Sequence, residues 1–217
     1  MIVAKFVLVA AIGYLMGAIP FALIISKGMA GIDISKHGSG NLGGTNVLRV
    51  LGFKAGVLTM ALDIVKAFVP VLLAKFIIGD SVLYIAGFPF NWQWGQVITS
   101  LMVMVGHNWS IYIRFRGGKG AAAYFGSWFA IFPVAALFGG AILIVTVLLS
   151  KYMSLGSILG SLSILCFFMV LTVVDVSPPV YLVYSVVAAV LIIYQHRSNI
   201  SRLQAGTESR MGRGRKI

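Results

Sequence analysis

The chain has 217 residues, of which 59% are hydrophobic and only 10% are charged. A soluble domain carries about 25% charged residues, so this composition excludes a soluble globular protein and is typical of a membrane protein. The net charge of +12 arises from 17 lysines and arginines against 5 acidic residues. A single cysteine, Cys166, excludes an intramolecular disulfide, and we interpret it as a small hydrophobic residue of an apolar run.

Apolar runs predict seven transmembrane helices, because a helix needs about 20 apolar residues to cross a bilayer. The first run lacks a charged leading segment and a cleavage site, so we expect an uncleaved span rather than a signal peptide. The fourth and fifth runs are divided only at Phe132-Pro133, and five or six spans are the alternative. The runs cover residues 3–26, 54–79, 93–113, 120–133, 135–150, 155–174 and 180–196.

The distribution of positive charge predicts the orientation. Fourteen of the 17 basic residues lie in alternate connections and the C-terminal segment, whereas the loops near 80–92, 133–134 and 175–179 carry none. Basic loops stay in the cytoplasm, so we expect the N-terminus outside and the C-terminus inside. The predicted fold is all-α, with seven transmembrane helices in residues 1–203 and a flexible basic cytoplasmic tail in residues 204–217 that is attracted to anionic lipid. No folded basic module accompanies the tail, so nucleic acid is not an expected partner.

A glycine-rich polar loop without an acidic residue, residues 37–46, follows the first run. Glycine lets successive N–H groups turn toward one point, and such a backbone binds anions. Arg49 follows closely and can place two parallel hydrogen bonds on a phosphate. A plain flexible turn is the alternative, but it does not call for so many small polar residues beside an arginine. The loop therefore predicts a site for a phosphorylated ligand.

A second loop with glycines and cations spans Arg114 to Gly120. Lys119 follows two glycines and precedes a predicted helix start, where free N–H groups and the helix dipole favour an anion. The P-loop spacing and a preceding strand are both missing, which excludes nucleotide hydrolysis. Topogenic charge is the alternative explanation for Arg114 and Arg116. We expect His107, at the end of the third run, to be a structural hydrogen-bonding residue.

Two further polar clusters follow the fifth and seventh runs. Ser154 and Ser157 lie in a short turn, where helix capping is the alternative role. His196 and Asn199 are three residues apart and share one face of a helix. Capping or snorkelling is the alternative for His196. The predicted topology places all four clusters on the cytoplasmic face.

Asp63 and Lys66 are three residues apart inside the second run. A charge at the centre of a bilayer costs roughly 2.5–3.5 kcal/mol on insertion scales, so we expect these two residues to form an ion pair. A proton or ion pathway is the alternative. The histidines at 37, 107 and 196, with a buried cysteine and few acids, form no recognisable metal-ligand set, and no metal or organic cofactor is expected.

The four clusters together resemble the bacterial membrane acyl-phosphate:glycerol-3-phosphate acyltransferase family, in the family's order and over almost the whole chain. The sequence departs from the family pattern at Gly44, where alanine is usual, at Ser110, where proline is common, and at Gly156, where serine is frequent. The matching segments are 38–46, 106–107 with 115–120, 154–157, and 196–203 with Gly206 and Glu208.

This resemblance implies a seven-helix enzyme of the bacterial cytoplasmic membrane with its active site facing the cytoplasm. It implies transfer of a fatty acyl group from acyl phosphate to the 1-hydroxyl of glycerol 3-phosphate, which yields lysophosphatidic acid for phospholipid synthesis. Lys119, His196 and Asn199 are the implied catalytic residues. The implied glycerol 3-phosphate site consists of Ser39, Arg49, Lys119, His196 and Asn199. The implied acyl-phosphate site consists of Gly38, Gly40, Asn41, Gly43, Thr45, Asn46, Ser154 and Ser157.

An acyl phosphate is already activated, so no covalent acyl-enzyme intermediate is needed, and orientation alone can supply about 7–11 kcal/mol of the barrier. The proton of the attacking hydroxyl goes either to the donor's own phosphate, which we favour, or to His196. The expected partners are the two substrates and membrane lipids, and a monomer suffices. A transporter for phosphorylated solutes, or a membrane scaffold, is the alternative class of protein.

Overall fold

The computed structural model describes residues 1–211, which form ten α-helices and one short β-hairpin. Two single-turn 3₁₀ segments, Ile34–Lys36 and Ile111–Ile113, lie in the connections. The helices are α1 (Ile2–Gly17), α2 (Phe21–Ala30), α3 (Gly44–Leu51), α4 (Phe53–Ile78), α5 (Trp92–Asn108), α6 (Ala121–Ile131), α7 (Pro133–Ser150), α8 (Met153–Val173), α9 (Pro179–Gln195) and α10 (Arg197–Gln204), and the strands are β1 (Leu83–Ile85) and β2 (Phe88–Phe90).

Four helical stretches in the described part of the chain are long and apolar enough to cross a bilayer: α1 continued by α2, then α4, α7 and α8. The pair α9–α10, which bends by 58° at His196, is a fifth if it is counted as one span. The remaining two predicted spans are shorter, with 17 residues in α5 and 11 in α6. At 1.5 Å per residue, α6 alone extends about 16 Å, roughly half of a 30 Å hydrocarbon core. The helical membrane character is therefore confirmed, whereas the number seven stays a prediction.

The first apolar run is a single candidate span, as predicted, in which the helix is interrupted between Gly17 and Phe21. Helix α1 ends at Gly17, and Pro20 precedes the first residue of α2. Proline cannot donate the N–H that a continuous helix needs and disfavours helical backbone in the residue before it. The break leaves the carbonyl of Ile19 available to a side chain of another helix. The boundary expected near Phe132-Pro133 is confirmed, since Pro133 is the first residue of α7.

The fold is mostly helical as predicted, with one addition in the loop between α4 and α5, where β1 and β2 pair antiparallel. The two residues that connect the strands, Ala86 and Gly87, both have positive φ angles, of 50° and 82°. Such a pair matches the twist of two-residue hairpins and makes the turn favourable. This hairpin was not identified from the sequence, because it lies between two long hydrophobic runs.

Aromatic side chains form the core where α5, α6, α8 and α9 meet. Trp128 stacks on Phe168 with ring centroids 4.3 Å apart and lies 5.0 Å from the ring of Tyr184. A second contact depends on small residues, because a side chain on Gly17 of α1 would collide with the backbone of Val103 on α5. Close backbone approach of this kind is how helices associate where the surrounding solvent is hydrocarbon. These packings fix the helix ends that carry the polar loops.

The expected ion pair inside α4 is confirmed. Lys66 Nζ lies 2.8 Å from Asp63 Oδ1, and both residues are almost fully buried, with 4% and 2% of their surfaces exposed. Lys66 Nζ also donates to the carbonyl oxygen of Ile19 at 2.7 Å. The lysine thus satisfies the acceptor that the break between α1 and α2 leaves without a helical partner.

Candidate active site

The carboxylate of Glu208 lies at the centre of a polar cluster at one end of the helices. Its Oε1 accepts hydrogen bonds from the Asn199 amide at 2.6 Å and from the Ser154 hydroxyl at 2.8 Å, and its Oε2 pairs with Arg202 Nε at 2.7 Å. The residue is buried. Burial alone would raise the pKa of this carboxyl, but the hydrogen bonds from Asn199, Arg202 and Ser154 outweigh it and lower the pKa below its ordinary value. The cluster therefore holds a charged anion.

Lys119 completes this cluster from the second glycine-rich loop. Its Nζ donates to Oδ1 of Asn199, so the amide of Asn199 bridges the lysine and Glu208. Burial, reinforced by the positive charge of Arg202, lowers the pKa of Lys119 to about 8, although Glu208 opposes the shift. The lysine follows two glycines because the loop runs directly against the end of α5: a Cβ on Gly117 or Gly118 would collide with His107. An ammonium group in this position is poised to bind a further anion.

Arg49 brings helix α3 to the same cluster. Its Nη2 donates to the carbonyl oxygen of Ser209 at 3.1 Å. The guanidinium group of Arg49 also interacts electrostatically with the charges of Glu208 and Arg202. The next residues also fold back, since Met211 N donates to the Lys151 carbonyl at 2.7 Å. The described part of the predicted flexible tail is thus attached to the site. Arg213, Arg215 and Lys216 lie outside the described residues.

The first glycine-rich loop is held in shape by Asn46. Its Oδ1 accepts from Ser39 N at 2.9 Å, and its Nδ2 donates to the carbonyls of His37 at 3.0 Å and Asn41 at 3.1 Å. This buried amide is therefore committed to the loop itself. Gly38, at φ 62°, is required here because a Cβ would collide with the side chain of Asn46.

The remaining predicted residues of this loop are more open. Ser39 and Gly40 are exposed, whereas Asn41, Gly43 and Thr45 are partly buried. Gly43 caps α3, on whose first turn Thr45 lies, and no side chain caps this helix. Free N–H groups at a helix start suit an anion. The loop is connected to the Glu208 cluster by helix α3, which begins at Gly44 and carries Arg49 in its last turn.

His196 lies at the bend between α9 and α10, directly beside the cluster. Its Nδ1 is 2.8 Å from the carbonyl oxygen of Ile192, which assigns the proton to Nδ1 and leaves Nε2 as the acceptor. The residue is only 4% exposed and stands near the ammonium group of Lys119 and the carboxylate of Glu208. A neutral imidazole in this tautomer offers Nε2 as a hydrogen-bond acceptor.

The structure brings together most, but not all, of the predicted site residues. Asn199 and Ser154 bind Glu208, and Lys119 is joined to it through Asn199. Arg49 and His196 lie at the edge of this cluster. The hydroxyl of Ser157 instead donates to the Met153 carbonyl of its own helix at 3.0 Å. Within residues 1–211, no three histidine, cysteine or carboxylate side chains gather as a metal site requires.

Sequence reasoning did not place Glu208 and Arg202 in the site. Glu208 gave one signal, because it is the only acidic residue in the C-terminal basic segment. A lone acid among cations is expected to be paired. The partner from α8, Ser154, lies 54 positions away in sequence, so the pattern could not identify it.

The fold and the site together define a helical integral membrane protein with a basic cluster that already holds one carboxylate. The chain belongs to the glycerol-3-phosphate acyltransferase family, whose model matches residues 7–206. It is accordingly an acyltransferase, which confirms the expected family and the expected class of enzyme.

Relatives and solved structures agree over nearly the whole chain. The glycerol-3-phosphate acyltransferase 3 of Dehalococcoides mccartyi is 42% identical, covering 97% of this chain and 98% of the relative. The glycerol-3-phosphate acyltransferase of Clostridioides difficile is 37% identical, with 96% of each covered. The crystal structure of PlsY (YgiH), an integral membrane glycerol 3-phosphate acyltransferase, in its glycerol 3-phosphate form is 38% identical. It superimposes with a TM-score of 0.83, covering 95% of this chain and 96% of PlsY.

Proposed function

We propose that this protein transfers a fatty acyl group from acyl phosphate to the 1-hydroxyl of glycerol 3-phosphate, giving lysophosphatidic acid and inorganic phosphate. The carrying observation is the basic cluster: Asn199, Ser154 and Arg202 converge on one carboxylate. Lys119 joins them through Asn199, and Arg49 lies beside them. Amide, hydroxyl, ammonium and guanidinium donors are the groups that bind phosphate. The PlsY structures in glycerol 3-phosphate and lysophosphatidic acid forms support the same acceptor and product.

In this proposal, Ser39, Arg49, Lys119, His196 and Asn199 bind glycerol 3-phosphate. The 38–46 backbone with Thr45, and the turn that carries Ser154 and Ser157, bind the head of the acyl phosphate. A phosphate oxygen that approaches Lys119 and Arg49 meets two positive charges in a partly buried setting, where electrostatic attraction is stronger than in water. The acyl chain remains in the lipid beside the apolar helices. Catalysis then consists largely of placing the hydroxyl against the carbonyl carbon.

The chemical step needs no nucleophile from the protein. The 1-hydroxyl oxygen bonds to the acyl carbon, the bond from that carbon to the phosphate oxygen breaks, and the phosphate leaves with the electron pair. Lys119 stabilises the negative charge that develops on the carbonyl and phosphate oxygens. Incubating the protein with acyl-labelled acyl phosphate alone, followed by denaturation, tests this: a stable acyl-protein adduct on the turnover timescale contradicts the direct transfer.

The hydroxyl proton passes to the donor's own phosphate rather than to His196. The donor's phosphate carries negative charge and has free acceptor oxygens next to the reacting bond, whereas Nδ1 of His196 is held by the Ile192 carbonyl. The phosphate therefore needs no further group to be brought to the proton that is released. His196, with its Nε2 as acceptor, orients the hydroxyl by hydrogen bonding.

We further propose that residues 1–203 form a single domain of seven spans, with the N-terminus outside and the active site at the cytoplasmic face of the bacterial inner membrane. Residues 204–217 form a cytoplasmic segment, and a monomer suffices. The basic connections support this orientation. Cysteines introduced at Ser39 and Ala86, in a Cys166→Ala background, test it. An impermeant maleimide applied to intact cells should label position 86 and not position 39, and the reverse pattern contradicts the orientation.

The donor is tested with purified protein and labelled glycerol 3-phosphate. Acyl phosphate, acyl-coenzyme A and acyl-carrier protein are supplied separately. Lysophosphatidic acid formed from acyl phosphate alone supports the proposal, and equal product from a thioester contradicts the donor assignment.

A further inference from the structure

The buried ion pair of α4 lies directly beneath the loop that carries Lys119. Asp63, Lys66, His107 and Gly117 line one small cavity, together with Leu42 from the first glycine-rich loop. Asp63 is therefore placed between the two loops of the proposed site. The acyl-transfer mechanism gives it no chemical role.

Asp63 faces His107 from below the loop. Asp63 Oδ1 is 3.7 Å from His107 Nδ1, beyond hydrogen-bond distance, so the carboxylate lies against the Nδ1 edge of the ring without bonding to it. Electrostatic attraction between a carboxylate and an N–H edge at this distance favours one orientation of the imidazole. Lys66 fixes the carboxylate from its other side at 2.8 Å and is itself anchored to the Ile19 carbonyl. The aspartate is thus held in one position by a lysine that cannot easily move.

His107 in turn contacts the loop directly. Its carbonyl oxygen accepts a hydrogen bond from Gly118 N at 3.0 Å, and its ring Nε2 lies so close to Gly118 that a Cβ there would collide with it. The imidazole is therefore the surface on which the Gly117-Gly118 backbone rests. Lys119 is the next residue, so a change in the position of this ring would displace the backbone that carries the lysine.

We propose that Asp63 is a positioning residue, which acts through His107 to fix the glycine loop and hence the place of Lys119 in the active site. This inference rests on the proposed role of Lys119 in acyl transfer. It explains why two charges are retained inside an apolar helix: the loop they support must present its lysine within a fraction of an ångström, and misplacement by about 1 Å can cost 10²-fold in rate.

A double-mutant cycle between Asp63→Asn and Lys119→Arg tests the proposal. The arginine keeps the positive charge but displaces it, so activity remains measurable. We expect kcat/KM for glycerol 3-phosphate to fall about 10- to 100-fold in Asp63→Asn. In the Lys119→Arg background, the same aspartate change should cost no more than about threefold, because the lysine through which it acts is already displaced.

A merely structural role for Asp63 gives a different result. It would reduce the folded fraction, measured by gel filtration and thermal unfolding, by the same factor in both backgrounds, and the two effects on activity would multiply. The matched control on α4 is Thr59→Val, since the buried Thr59 hydroxyl donates only within its own helix, to Ala55 O at 2.8 Å. This variant should keep wild-type kcat/KM.

Every outcome of the cycle is decisive. Wild-type activity in Asp63→Asn, or multiplicative effects, overturns the positioning role even though the acyltransferase site stands. Wild-type activity in Lys119→Arg removes the proposed role of the lysine and this inference with it. If Asp63→Asn does not fold, the cycle is run with His107→Asn, which removes the ring edge beneath Gly118, and the same criteria apply.

Discussion

Replacing Glu208 by glutamine should weaken the hydrogen bonds of the cluster but keep the side chain in place. The retained carbonyl oxygen can still accept from Ser154 and Asn199, but as neutral hydrogen bonds, and the new amide N–H points at Arg202. A charge-assisted bond contributes about 1.5–3 kcal/mol and a neutral one about 0.5–1.5 kcal/mol, so each buried bond weakens by about 1 kcal/mol. The Arg202 pair adds less, since 42% of that side chain is exposed.

We therefore expect Glu208→Gln to lower the free energy of unfolding by about 2 kcal/mol. Because Asn199 also holds Lys119, we expect kcat/KM to fall about tenfold, equivalent to about 1.4 kcal/mol in the transition state. Glu208→Ala removes both acceptor oxygens, and with them all three hydrogen bonds, and should cost at least another tenfold. Thermal unfolding and initial rates in detergent measure both effects.

The matched control is Ser209→Ala, because Arg49 binds the backbone oxygen of Ser209 and the substitution leaves that oxygen in place. Glu208 does not hold the cluster together if Glu208→Gln retains both wild-type stability and wild-type rate, or if Ser209→Ala loses as much as Glu208→Gln.

Three further predictions follow from the site geometry. The KM for glycerol 3-phosphate should rise as pH increases through about 8, because Lys119 loses its charge there. Lys119→Arg should abolish that rise in a profile of KM against pH. A flat profile for the wild type contradicts the assignment of the charge to Lys119. His196→Gln should retain turnover within about tenfold, because a general base contributes 10²–10⁴-fold and His196 is not the base in this mechanism. Single-turnover rates with both substrates bound measure the effect. A larger loss would assign the proton to His196. Gly118→Ala should lower kcat/KM about 10- to 100-fold, because the methyl group displaces the loop from His107. Gly140→Ala should leave kcat/KM unchanged, because Gly140 has open space for a methyl group. Equal effects of the two variants in initial-rate assays would count against the loop geometry.

The sequence was sufficient for the helical membrane character and for the polar ends of the helices. Apolar runs report length and hydrophobicity directly, and Asp63 and Lys66, three positions apart, could hardly avoid pairing inside a helix. Residue type and the predicted membrane face placed Lys119 and Asn199 at one surface, and in the structure their side chains are hydrogen-bonded to each other.

The elements that the sequence missed depend on local backbone geometry or on long-range contacts. The helix break before Pro20 lies within an apolar run whose hydropathy does not change there. The hairpin turn at Ala86-Gly87 depends on positive φ angles that an apolar loop does not announce. The central position of Glu208 depends on Ser154, 54 residues away, and no periodicity links the two.

The most direct test of the central claim compares Lys119→Ala with Lys151→Ala in acyl transfer from acyl phosphate to labelled glycerol 3-phosphate. Lys151 is exposed and takes part in the site only through its backbone carbonyl, which the substitution keeps. Lys119→Ala should lose at least about 100-fold in kcat/KM while remaining folded, and Lys151→Ala should match the wild type. Wild-type formation of lysophosphatidic acid by folded Lys119→Ala protein would mean that the reaction occurs away from the cluster around Glu208.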